Sequence, residues 1–168
     1  MTGWQKTLND EPALNRLAIR FAHAIQTNHM QFMANHQPIL LLLDGDLGAG
    51  KTTFIRAFIR ALMGEDVMVK SPTYEIFTQY QTQQILIQHA DFYRLDQLET
   101  LEQVGWFDAF NPGVIQLVEW AKRIPFWENL PRINIEIKII DLNHRTIAIN
   151  SFYDRKTFSL DFLRNEHI

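Results

Sequence analysis

The stretch from Gly45 to Thr52 reads Gly45-Asp46-Leu47-Gly48-Ala49-Gly50-Lys51-Thr52 and fits G-x-x-x-x-G-K-[ST]. It constrains the fold because such a loop works only between a strand and a helix. Its glycines permit the tight turns that bring successive backbone N–H groups around a phosphate, its lysine reaches the β and γ phosphates, and the hydroxyl that follows can ligate Mg2+. The flanks meet that demand. Ile39 to Asp44 is an apolar run suited to a buried parallel strand. Beyond the loop, Phe54, Ile55, Ala57, Phe58, Ala61 and Leu62 recur at threes and fours, which predicts a helix with Arg56 and Arg60 on its far side and Gly64 at its end. Strand, loop and helix in this order aim the positive end of the helix dipole at the loop. The segment reads as a nucleotide site made by Gly45, Asp46, Leu47, Gly48, Ala49, Gly50, Lys51, Thr52 and Thr53.

The remaining chain supplies a sheet for this unit. Thr2 to Leu8 is a candidate strand, and Asp10, Glu11 and Pro12 start an amphipathic helix carried by Leu14, Leu17, Ala18, Phe21, Ala22 and Ile25. Asn28 to Gln37 reads as a connection, with His29 and His36 at the surface. Val67 to Val69 is expected as a short strand, and Tyr74 to Tyr80 with Ile85 to His89 as an antiparallel pair. Leu95, Leu98, Leu101 and Val104 predict a short helix that stops near Gly105, and Val114 to Glu119 a buried strand. Alternation of Ile133, Ile135, Ile137 and Ile139 with polar residues, followed by Arg145 to Asn150, predicts a closing hairpin at one edge. The expectation is one α/β domain over residues 1–168, a P-loop NTPase-like mixed sheet flanked by helices. Trp106, Phe107, Phe110, Phe126 and Trp127 are expected mainly in the core.

Charge and composition exclude several classes. Apolar runs of about five residues fall far short of a membrane span, and the start of the chain lacks the pattern of a secretory signal. Without cysteine there is neither a disulfide framework nor a thiolate metal site, and a cytoplasmic location is expected. A net charge of -3, with 16 Lys and Arg against 19 Asp and Glu, does not suit a protein that grips nucleic acid unaided. Any contact with RNA is expected to be indirect.

Hydrolysis needs groups that hold a metal and place the attacking water. Glu119 ends an apolar strand, and ligands of open α/β sheets sit beyond the carboxyl ends of strands. Asp91 ends another. Either carboxylate can also serve as a turn cap or ion-pair partner. Ser71 and Thr73 lie in a Pro-containing loop where a nucleotide switch would carry a sensing hydroxyl, although turn chemistry explains them too. His89, Tyr93, Arg94 and Trp120 are accessory candidates: His89 as a hydrogen-bond partner of the Asp91 carboxylate or of another protein, or as a packed structural residue; Tyr93 and Arg94 as groups facing the nucleotide or an interface, with Arg94 a source of positive charge or half of a surface ion pair; and Trp120 as a cover or sensor of the nucleotide, or as core or wall.

Together the blocks Gly45 to Thr53, Ser71-Pro72-Thr73-Tyr74, His89-Ala90-Asp91-Phe92-Tyr93-Arg94-Leu95 and Val118-Glu119-Trp120 resemble the four signatures of the TsaE (YjeE) family. That family comprises small bacterial ATPases of tRNA threonylcarbamoyladenosine (t6A) biosynthesis. The resemblance implies ATP and Mg2+ as ligands, Lys51 and Thr52 as phosphate and metal contacts, Asp91 as a metal-associated carboxylate, and Glu119 as a metal or water-positioning group. It also implies weak activity alone and activation by the TsaB and TsaD subunits, of which TsaD carries the transfer to adenosine 37 of tRNA. The chain departs from the pattern at Ala121, where the family commonly has proline, which changes backbone stiffness and removes no reactive group.

Two other readings compete. A small-molecule kinase would use several arginines in a lid, whereas from Gly64 to Tyr93 the chain has no Arg and only Lys70. A nucleotide-gated adaptor would need binding but not hydrolysis. No Asn-Lys-x-Asp guanine signature is present near Leu8 to Pro12 or Pro131 to Arg132, the segments expected to meet the base.

Overall fold

The computed structural model describes residues 2–164. In chain order the first half contains β1 (Thr2–Leu8), α1 (Glu11–Ala34), β2 (Ile39–Asp44), α2 (Lys51–Met63), β3 (Phe77–Gln81) and β4 (Leu86–Asp91). The second half contains α3 (Leu98–Gln103), β5 (Ile115–Glu119), β6 (Ile133–Ile139) and β7 (Arg145–Ser151), with short 3-10 turns between them. The strands form one seven-stranded sheet in the order β1-β7-β6-β2-β5-β4-β3.

Register and sequence agree on why β2 is central. It pairs in parallel with β5 on one side and β6 on the other, and its two faces are covered by separate clusters, Ile39, Leu41 and Leu43 in one and Leu40 and Leu42 in the other, so Ile39 to Leu43 are all buried. Such double coverage requires an unbroken apolar run. The β6–β7 hairpin forms as expected but does not close the edge: β1 pairs along the whole outer side of β7 and is itself the outermost strand. At the other edge β3 pairs antiparallel with β4.

Alternation sorts the side chains into two layers. Leu41, Leu43, Ile87, Ile115, Leu117, Ile135 and Ile137 face α1 and α2, forming the larger core with Phe21, Phe54 and Phe58. Leu40, Leu42, Ala90 and Val118 face the other way, toward Phe92, Leu101, Trp106 and Trp127. There Phe92 stacks on Trp127 at 5.9 Å and meets the edge of Trp106 at 5.8 Å, so the expected core role of these two tryptophans holds.

Two segments differ from expectation. Helix α1, whose N-cap Asp10 accepts the Ala13 N–H at 2.7 Å, runs to Ala34 rather than ending before Asn28. The polar residues that suggested a connection bond back along the helix: Thr27 Oγ1 donates to the His23 carbonyl and Asn28 Nδ2 to that of Ala24. Phe32, fully buried against Tyr153 and Phe158, holds the extra turns down. Consequently His29 is half-buried, with Nε2 at 2.9 Å from the Gly113 carbonyl, whereas His36 is exposed as expected.

Val67 to Val69 forms no strand. Arg60 and Arg56 of α2 donate to the carbonyls of Val67 and Val69, so these two carbonyls are met by side chains instead of a ladder.

Past β7, Tyr153 takes over where strand pairing stops. Strand β6 pairs with β2 only from Leu41 onward. The Tyr153 hydroxyl fills the place before it, accepting from Leu40 N and donating to the Pro38 carbonyl, both at 2.9 Å.

Candidate nucleotide site

The site lies at the carboxyl ends of β2, β4 and β5, where α2 begins. Gly50, with φ of 111°, precedes the first helical residue Lys51, a left-handed conformation that suits glycine. At the other end of the loop, a Cβ on Gly45 would run into the Ile137 carbonyl oxygen, so the loop lies against β6. These constraints turn the chain from β2 straight into the N-terminus of a helix of 13 residues.

Lys51 is 4% exposed. Its Nζ donates to the carbonyls of Gly45 (2.7 Å) and Asp46 (3.0 Å) and stands 3.8 Å from the centre of the Trp120 ring. Burial lowers the lysine's pKa, and the nearby carboxylates of Glu119, Asp91, Asp44 and Asp46 oppose that shift.

Parallel register makes Asp91 and Glu119 direct neighbours at the ends of β4 and β5. Both are buried and both line a cavity of about 340 Å3 with Leu47, Gly48, Gly50, Lys51, Thr52, Thr53, Ser71, Thr73, Tyr93 and Trp120. Thr52 Oγ1 lies 2.9 Å from each Glu119 oxygen. Across the cavity Thr73 Oγ1 donates to Asp91 Oδ2 at 2.6 Å, Ser71 Oγ donates to the same oxygen at 3.1 Å, and Tyr93 N–H donates to Oδ1. Asp91 thus ties down the 71–74 loop. The approach of Ser71 and Thr73 to it follows from no spacing in the sequence.

The accessory candidates separate. His89 is fully buried, as a packed histidine would be, and bonds Glu119 Oε1 on the neighbouring strand, not Asp91, although residues two apart in β4 share a face. Trp120 and Tyr93 form one wall, their rings 5.1 Å apart, and Trp120 has a left-handed backbone with φ of 59°. Arg94 is exposed, over the Tyr74 ring at 4.5 Å, and is absent from the cavity lining. A base that spacing did not suggest, Arg123, stands 5.3 Å over the Tyr93 ring.

On the other side of Gly48, Ala49 and Gly50 a second cavity of about 360 Å3 is lined by Asp10, Glu11, Pro12, Thr53, Leu142, Asn143 and Arg145. The 10–12 segment therefore adjoins the loop. Arg132 instead lines a separate cavity beside Trp127. Among the described residues no cluster of three or more His, Cys, Asp or Glu side chains forms a ready metal centre.

A parallel-centred sheet, a glycine loop running into a helix and two carboxylates at the adjoining strand ends define a P-loop NTPase-like protein. Comparison with known proteins agrees and narrows the class. The crystal structure of Bacillus subtilis YdiB superposes with a TM-score of 0.64 over 92% of this chain and 88% of that one, at 24% identity, which shows the shared fold. The family model for threonylcarbamoyl adenosine biosynthesis protein TsaE matches residues 8–147, and the chain belongs to the TsaE family. Relatives called tRNA threonylcarbamoyladenosine biosynthesis protein TsaE include one from Rickettsia typhi, 34% identical over 94% of this chain and 99% of the relative. Another, from Bacillus subtilis, is 39% identical over 69% of this chain and 72% of its own length.

Proposed function

We propose that this protein binds ATP with Mg2+ and hydrolyses it in support of t6A modification of tRNA, acting in the cytoplasm with the TsaB and TsaD subunits. The observation that carries the reading is the meeting of Lys51 and Thr52 with Asp91 and Glu119 around one cavity. Family membership supports the t6A pathway, and the names of the relatives point the same way.

The residues suit both ligands. Loop glycines and the start of α2 offer backbone N–H groups to a polyphosphate, and Lys51 lies at the loop with its ammonium on carbonyls that a phosphate can replace. The Thr52 hydroxyl and the carboxylates of Asp91 and Glu119 form an all-oxygen donor set, which Mg2+ prefers. Two carboxylates face one ammonium, so a polyphosphate enters this cavity favourably only with a cation. When bound, Mg2+ neutralises charge on the β and γ oxygens. Within the chain, Lys51 would stabilise the phosphoryl oxygens, Thr52 and the two carboxylates would hold the cation, and Glu119 would also orient the water that attacks the γ phosphorus as the bond to the β–γ bridging oxygen breaks. The base and ribose fit the second cavity between Asp10 to Pro12 and Asn143. Among the described residues Lys51 is the one basic side chain lining the first cavity, which favours hydrolysis over transfer to a second anionic substrate.

Phosphate release from Mg-ATP, measured alone and with TsaB and TsaD, tests the reading. Stimulation by the partners that disappears in Lys51→Ala is the expected result. With Glu119→Ala, nucleotide binding should persist while hydrolysis and t6A formation fail. Full t6A formation by that variant would overturn the hydrolytic reading in favour of a nucleotide-gated adaptor.

A further inference from the structure

Glu119 is held from two sides. One is Thr52 of the phosphate loop, and the other is His89, whose Nε2 lies 2.9 Å from Oε1. The imidazole comes from the neighbouring strand, at the position paired with Leu117, and projects on the same face as Glu119. It is entirely buried, and its Nδ1 has no hydrogen-bond partner among the described residues. A carboxylate oxygen accepts, so Nε2 must donate. A proton on Nδ1 would then be buried with nothing to receive it, which is costlier than a bare ring nitrogen.

We infer that His89 is a positioning residue, locked as the Nε2–H tautomer, whose hydrogen bond fixes the orientation of Glu119. Oε1 is shared between His89 and Thr52, while Oε2 bonds Thr52 alone and keeps acceptor capacity for a group in the cavity. The effect on turnover rests on the reading of Glu119 as the residue that orients the attacking water. Without His89 the carboxylate has rotamers that aim it away from the γ phosphate while leaving the phosphate loop intact. The chain's contribution to binding and its contribution to chemistry therefore come apart at this residue.

Two measurements test the inference. In nitrogen-resolved NMR of the ligand-free chain, His89 should show a protonated Nε2 and a bare Nδ1, and the Nε2–H signal should lose its hydrogen-bonded shift in Glu119→Ala. A proton on Nδ1 in the unmodified chain, or an Nε2–H signal unmoved by that substitution, overturns it. Kinetically, His89→Leu fills the space without a donor, whereas His89→Gln restores an N–H. The leucine variant is expected to lower kcat for Mg-ATP by about 10- to 100-fold, the usual effect of losing an outer-shell orienting partner, with KM little changed. The glutamine variant should recover most of the loss at equal thermal stability. Equal kcat in both variants, whether impaired or normal, overturns the inference. If the unmodified chain binds Mg-ATP yet shows no turnover even with its partners, the hydrolytic reading fails, and the tautomer measurement still decides whether His89 holds Glu119.

Discussion

Replacing Tyr153 by Phe removes one oxygen atom and strands two backbone groups. Tyr153 is 4% exposed, and its hydroxyl accepts the Leu40 N–H while donating to the Pro38 carbonyl. Burial also pushes the phenol above its usual pKa, which keeps it a donor. The ring survives in the variant, so the edge contact with Phe32 at 5.0 Å and the apolar burial are retained. What is lost is hydrogen bonding. A buried polar group left unpaired costs about 1–3 kcal/mol. The Leu40 amide is fully enclosed and the Pro38 carbonyl less so, which gives about 2–4 kcal/mol for the pair, a sizeable part of a typical net stability of about 5–15 kcal/mol. Urea unfolding should show the midpoint falling with the slope unchanged. Hydrogen exchange should quicken at Leu40 more than at Leu42. A loss below about 0.5 kcal/mol, the range of ordinary surface substitutions, would refute the view that the hydroxyl stands in for a missing strand.

Gly50→Ala forces a side chain into a left-handed conformation and against Leu14, so stability should fall by about 1–2 kcal/mol or more, with nucleotide affinity in a fluorescence titration falling too. Thr73→Val removes the shortest hydrogen bond to Asp91. A stability loss of about 1 kcal/mol and faster proteolysis within the 67–76 segment are expected, and an unchanged cleavage rate would count against the tether. Burial raises the pKa of Asp44 above 3.8, and the Lys122 backbone N–H partly offsets it. With a raised folded-state value, folding takes up a proton, so this group favours the folded state as the pH falls through its folded pKa toward 3.8 and costs stability above that pKa. Asp44→Asn should therefore stabilise the chain at pH 7, by an amount that shrinks toward pH 4 in thermal melts.

Much of this arrangement was legible because the Gly45 to Thr52 pattern demands a strand before it and a helix after it. Lys51 and Thr52 could be placed from Gly45 to Gly50 alone, and the alternation in β6 gave its strand directly. Two carboxylates were legible as strand-terminal groups, but their adjacency depends on which strands pair, a long-range fact absent from local pattern. The same limit hid the link from His89 to Glu119. Local chemistry also misled where side chains can serve two structures. Thr27 and Asn28 suit a loop, yet the buried Phe32 rewards continued helix and lets both residues bond the preceding turn. Val67 to Val69 has strand composition, yet arginines of α2 take the carbonyls of Val67 and Val69. Tyr153 lies outside every motif, and no period marks it.

Because Asp91 and Glu119 face each other across adjacent parallel strands, their backbones are separated by one strand spacing, roughly 4.8 Å. The sheet acts as a ruler that side-chain substitution cannot reset. A shorter or longer carboxylate at either place alters reach, while the distance between anchor points stays fixed by hydrogen bonds along the ladder. Slipping β4 by one residue against β5 would do far more. It would turn Gln88 and Ala90 toward α2 and send Asp91 among Phe92, Trp106 and Trp127, removing one of the two carboxylates without changing any residue.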